Sequence, residues 1–153
     1  MLHRLQRAVR VCGRMYDPRK PSGRANRWNA AHERVLYFSE HFGTALLERV
    51  VHAGGMAPSP AHAAWITIPH DVGVDRIDAS ALPAGWDDPD DATEARLVGS
   101  HWYRRGRTAL LVVPSLPGQP FECNVVLNTT HPDAERLLWD EAIEIGWDAR
   151  LFG

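Results

Sequence analysis

The stretch VLYFSEHFGTALLERVVHAGG (Val35–Gly55) changes its period part-way through, and that change sets the fold class. Val35–Phe38 is a run of aliphatic and aromatic side chains, which reads as a short buried strand. Ser39 stands where a helix N-cap would, with Glu40 at the positive end of the helix dipole. A helix is expected from about Glu40 to Ala53, stopped by Gly54-Gly55. On a wheel of ~100° per residue, Phe42, Leu46, Leu47, Val50 and Val51 form its apolar stripe. Glu48 falls on the opposite side with His41, Ala45 and His52, so that face meets either water or a polar cleft.

Working outward, AWITI (Ala64–Ile68), VDRI (Val74–Ile77), ALLVV (Ala109–Val113) and NVVLN (Asn124–Asn128) read as strands. The acidic turn DDPDD leads to Thr93, which can cap a helix from Glu94 towards Tyr103. Pro132 suits the first turn of another helix, with Asp133 and Glu135 favourable to its dipole. The tail IEIGWDARL adds a closing strand. Strands and helices mix without a regular βαβ rhythm, which predicts a single α+β domain over residues 1–153.

At 153 residues and 44% hydrophobic composition, the chain can bury a core without disulfides or a structural metal. Cys12 and Cys123 form no framework, which suggests a reducing compartment. No apolar run approaches the ~18 residues needed to span a bilayer. The first twenty residues lack the apolar centre of a signal peptide, so a bacterial cytoplasmic location is expected, with no membrane partner. The net charge of −2 conceals an asymmetry: residues 1–34 carry nine Arg/Lys against two acids, and the remainder is strongly acidic. A local phosphate-bearing ligand suits the arginines. A long phosphate backbone would be repelled by the acidic bulk, so no direct nucleic-acid partner is expected.

Several chemistries are excluded or poorly supported. No GxGxxG follows a strand, and Lys20, the only lysine, lies in no P-loop. Ser115 lies in VPSLP rather than a GxSxG elbow. HERVL (His32–Leu36) lacks the second histidine of a zincin, and the eight histidines are scattered, so no metal is expected. What remains is a set of polar residues at strand ends and on one helix face: Arg27, Tyr37, Glu48 and Ser115. Singly, each has an ordinary reading: a basic loop, a core aromatic, a solvated helix face, a turn residue after proline.

In order along the chain, however, LHRL, RWN, VLYFSE, ALLERVVH, ITIPHDV, LPAGW, LVGSHW, LLVVPS, ECNVVLNTTHPDAERL and WDARLF resemble the RES-domain family, the toxins of bacterial RES–Xre toxin–antitoxin modules. The resemblance implies an ADP-ribosyltransferase-like fold, two packed mixed sheets with surrounding helices, and NAD⁺ held as substrate in the cleft between them. It implies that Arg27 binds a phosphate or ribose of NAD⁺, Tyr37 stacks on or positions the nicotinamide, and Glu48 sits by the nicotinamide ribose. It further implies that Ser115 hydrogen-bonds the dinucleotide, with a minor role for Asn124 beside the site. An Xre-like helix-turn-helix antitoxin occluding the cleft is the implied partner, with room for a homodimer within that complex and for a host protein target.

The chemistry suits these residue types. Breaking the nicotinamide–ribose bond builds positive charge on the ribose, as in glycoside cleavage, and a fixed carboxylate stabilises it. Where the family carries two glycines before its arginine motif, this chain has Ala25-Asn26. Such a loop shapes access to the ribose, so the acceptor stays open. Water or phosphate makes an NAD⁺-degrading toxin; a protein side chain makes a mono-ADP-ribosyltransferase. A third reading is a non-catalytic nucleotide-binding module built on the basic N-terminal third, in which Arg24 is either a second phosphate contact or an exposed side chain.

Overall fold

A computed structural model describes residues 4–153. Its elements are β1 (Arg7–Gly13), β2 (Val35–Ser39), α1 (Phe42–His52), β3 (Ala61–Thr67), β4 (Val74–Arg76), α2 (Thr93–Arg105), β5 (Leu110–Pro114), β6 (Cys123–Asn128), β7 (Leu138–Trp139) and β8 (Ile143–Ile145). Of LHRL, residues 2 and 3 lie outside the described residues; Arg4 and Leu5 precede β1 rather than forming a strand.

The strands follow one hydrogen-bonded path, β4-β5-β6-β2-β1-β3-β7, with β8 also on β3. Every pairing is antiparallel except β4 with β5. The class is therefore α+β, as expected. The two sheets expected from the sequence are two arms of this path, β4-β5-β6-β2 and β1-β3-β7/β8. The arms meet through a single registered pair, Val9 with Ser39. Beyond that pair β1 and β2 part, and a cleft opens between them.

The β5 and β6 runs are buried on both faces, which is why they read as continuous hydrophobic segments rather than alternating ones. Leu110, Val112, Val125 and Leu127 enter one core cluster with Leu36 and Phe38. Leu111, Val113 and Val126 enter another, with Trp28, Trp86 and Trp102. A third cluster joins Val9, Val11, Ala61 and Ala63 to Ala45 of α1.

Helix α1 departs from expectation at its start and in its facing. It begins at Phe42, with His41 at the N-cap position and no side-chain cap. Ser39 is not a cap: the β2–β6 ladder holds it opposite Asn124, and its hydroxyl donates to Asn124 Oδ1 at 2.7 Å. Glu40 turns instead to Arg76, at 3.5 Å. The face laid on the sheet is that of Thr44 and Ala45, both buried, whereas Phe42, Leu47 and Val51 are exposed. Small side chains let the helix approach β1 closely, and this turns Glu48 towards the cleft.

Helix α2 runs further than expected and ends at Gly106, whose φ of 60° is the left-handed conformation a helix stop requires. Thr93 lies within its first turn rather than capping it. Ala92 holds the N-cap position without a side-chain cap, and Asp91 before it accepts from the Thr93 amide at 2.9 Å and its hydroxyl at 2.6 Å. Pro132–Arg136 forms a 3₁₀ turn rather than an α-helix, with His131 Nδ1 accepting from the Asp133 amide. The closing strand is β8, and Ala149–Phe152 curls into a further 3₁₀ turn.

Candidate active site

The cleft between the arms has a volume of about 660 Å³, within the range of small-molecule sites. Arg27, Tyr37, Glu48 and Asn124 line it; Ser115 does not. Each is delivered by a different element: the loop before β2, β2 itself, α1 and β6.

Glu48 is the most closely held. Its Oε1 accepts from Ser115 Oγ at 2.8 Å and from Asn124 Nδ2 at 2.7 Å. Asn124 is in turn oriented by Ser39, and Ser115 Oγ accepts from the Gly118 amide at 3.1 Å. Two donors on one oxygen fix the carboxylate plane and leave Oε2 as the unbonded oxygen. His52 Nε2 lies 4.0 Å from it. Ser115 is fully buried, so in this geometry it supports Glu48 rather than reaching a ligand, the contact expected from the sequence.

The RWN segment resolves into three tasks. Arg27 donates through Nη1 to the Trp86 carbonyl at 3.0 Å and through Nη2 to the Asp88 carbonyl at 2.9 Å. It thus ties the 86–89 loop, whose Pro89 also lines the cleft, with N–H groups still left over. Trp28 is buried and stacks at a tilt against Trp86, ring centroids 6.1 Å apart. Asn29, equally buried, donates to the carbonyls of Arg24 and Ala30, both at 2.9 Å. Arg24 itself is exposed.

Tyr37 closes this assembly. Its hydroxyl donates to Asn29 Oδ1 at 2.5 Å and accepts from the Trp28 amide at 3.1 Å. Burial pushes its phenol well above the ordinary tyrosine range, against the opposing pull of the Trp28 amide, so it stays protonated. Tyr37→Phe is expected to leave the Asn29 and Trp28 groups buried and unpaired, at a cost of about 1–3 kcal/mol. Urea unfolding monitored by tryptophan fluorescence checks this; an unchanged midpoint refutes it.

Two cleft-lining residues escaped the sequence reading: Arg10 on β1 and Arg49 on α1. Arg10 Nη1 reaches across the parting strands to the Tyr37 carbonyl at 3.3 Å. Burial lowers its pKa, Cys12 raises it, and nearby Arg49 lowers it again. Burial raises the Cys12 thiol, with Arg10 and Arg49 opposing. The available signal was AVRVC (Ala8–Cys12): an arginine set among residues that are otherwise buried. Among the described residues no group of three or more His, Cys, Asp or Glu is arranged to hold a metal. No helix among them is long and apolar enough to cross a membrane.

Four residues named from the sequence motifs, Arg27, Tyr37, Glu48 and Asn124, thus meet in one cleft of the split sheet. The RES-domain family model matches residues 2–148. The chain belongs to the RES-domain family. The Prs ADP-ribosylating toxin of Sphingobium sp. (strain YBL2) is 35% identical over 113 residues, covering 71% of this chain and 69% of that protein. Toxin Res of Photorhabdus laumondii subsp. laumondii is 31% identical over 127 residues, covering 82% and 80%. The fold matches a chain of the M. tuberculosis MbcT–MbcA toxin–antitoxin complex, with a TM-score of 0.75 at 16% identity over 92% of this chain and 84% of that one.

Proposed function

We propose that this RES-domain protein is the toxin of a toxin–antitoxin pair and acts by cleaving the nicotinamide–ribose bond of NAD⁺. The observation that carries the reading is Glu48: a carboxylate on the cleft wall, held through one oxygen by Ser115 and Asn124. As the glycosidic bond breaks, nicotinamide leaves with the electron pair and C1′ of the ribose becomes cationic. Glu48 stabilises that charge at no reorganisation cost, because its donors already fix it. The Tyr37 ring, locked by its hydroxyl, offers a flat wall for the nicotinamide. Arg27 keeps the 86–89 loop in place. Water or phosphate then supplies the oxygen that bonds C1′, and the attacking oxygen loses its proton to solvent.

A second reading transfers the ADP-ribosyl group to a host protein. It is favoured by the relative named as an ADP-ribosylating toxin, at 35% identity. Incubating the purified protein with NAD⁺ and following free nicotinamide, with and without host lysate, separates the two. Release without lysate is expected for the first. Release and label transfer only with lysate are expected for the second. No nicotinamide under either condition rejects both. The matched structure, from a toxin–antitoxin complex, supports an antitoxin partner. We place it over the cleft, where it would exclude NAD⁺; an Xre-like antitoxin should then suppress nicotinamide release when added in stoichiometric amount.

A further inference from the structure

Arg10 and Arg49 present an unusual combination. Both line the cleft, one from β1 and the other from α1, directly after Glu48. The Nε atom of each is buried with no hydrogen-bond partner. Neither guanidinium forms an ion pair with any carboxylate among the described residues. Two cations brought together, partly withdrawn from water and left without a counter-charge are costly in an empty protein. A guanidinium presents a planar fork of donors, and the ligand class that satisfies two such forks is a phosphate group. Arg27, the residue the sequence pointed to for this task, has both Nη atoms engaged with backbone carbonyls.

We propose that Arg10 and Arg49 form the anion subsite of the cleft and bind a phosphate group. The proposal rests on the NAD⁺ reading only for the source of that phosphate: the diphosphate of the dinucleotide, or free inorganic phosphate serving as acceptor. The site itself can be read without turnover. Calorimetric titration of the full-length protein with ADP-ribose, and separately with inorganic phosphate, is compared between wild type, Arg49→Gln and Arg49→Lys.

Arg49→Gln should weaken binding about 10- to 100-fold, the span for hydrogen bonds to a charged group. Arg49→Lys keeps the charge but not the fork and should fall between. A loss confined to ADP-ribose identifies the diphosphate; a loss confined to inorganic phosphate identifies the acceptor. Because Arg49 Nε satisfies nothing in the protein, Arg49→Gln should melt no lower than wild type. Wild type that binds neither probe, or both affinities unchanged in folded variants, overturns the subsite. If Arg49 governs binding but wild type releases no nicotinamide, the subsite stands and the cleavage reading falls. If nicotinamide is released while Arg49→Gln binds as wild type does, the subsite alone falls.

Discussion

Glu48→Gln is expected to give a folded protein that releases nicotinamide from NAD⁺ about 10²–10³-fold more slowly than wild type, the usual cost of removing one preorganised electrostatic group. The substitution changes charge with almost no change in shape. The glutamine carbonyl oxygen can occupy the position of Oε1, where it still accepts from Ser115 Oγ and Asn124 Nδ2. The carboxamide nitrogen then takes the place of Oε2, the side facing His52, where no donor is displaced. Every buried partner therefore keeps its hydrogen bond, and the melting temperature should stay within about 2–4 °C of wild type, the shift for ~1 kcal/mol in a domain of this size. The loss should fall on kcat rather than on KM, because the carboxylate matters when charge develops on the ribose and little before. Undiminished nicotinamide release by a folded Glu48→Gln protein removes Glu48 from the chemistry.

The route to Glu48 shows which parts of this protein can be seen in its sequence. The helical wheel separated Glu48 from the apolar stripe of α1, and the family resemblance put Arg27, Tyr37 and Asn124 with it; all four line one cleft. The wheel could not tell which side of α1 meets the sheet. The expected side carried the large apolar residues, but Phe42, Leu47 and Val51 are exposed, and Ala45 seats the helix on Val9 and Val11. Local apolarity loses here to close approach, which depends on partners that lie far away in the chain. Ser39 illustrates the same limit. Its type and position suit a helix cap, but the register of β2 on β6 places it against Asn124, 85 positions away.

Arg10 and Arg49 were missed for a related reason. Arg10 belongs to no motif, and in ALLERVVH only Glu48 was given a role; each arginine is an ordinary charged residue until the parting of β1 and β2 gives them a shared cleft. Trp28 is the opposite case. The sequence assigns it no task within RWN; in the fold it anchors the loop in the core with Trp86 and Trp102. Arg27 can reach over the cleft because the residue after it cannot move.

That immobility predicts a large structural effect of a single methyl group added to α2. A Cβ built on Gly99 of α2 would lie 1.7 Å from the Trp28 carbonyl oxygen, 2.6 Å from its carbon and 2.9 Å from Cα. These are backbone atoms and cannot rotate away as a side chain would. The Trp28 backbone is also tied from the other side, its amide donating to Tyr37 Oη. Flanking bonds hold the same loop to α2: Arg96 Nε donates to the Asn26 carbonyl at 2.9 Å, and Ser100 Oγ to Glu33 Oε1 at 2.7 Å. On helix propensity alone, Gly99→Ala should stabilise by about 1 kcal/mol. Overpacking against backbone reverses the sign and should destabilise by about 3 kcal/mol, the upper part of the usual range. The melting temperature should fall by about 6–12 °C. Gly43→Ala in α1 is the matched control, since nothing lies within 4 Å of its Cβ position, and it should melt at or above wild type. If the loop yields instead of the helix, the melting temperature falls less, but Arg27 and the Tyr37 hydroxyl lose their placement and nicotinamide release drops while Gly43→Ala stays active. A Gly99→Ala protein with wild-type melting and wild-type release would mean that Trp28 does not press on α2, and that the loop carrying Arg27 is held by something other than this contact.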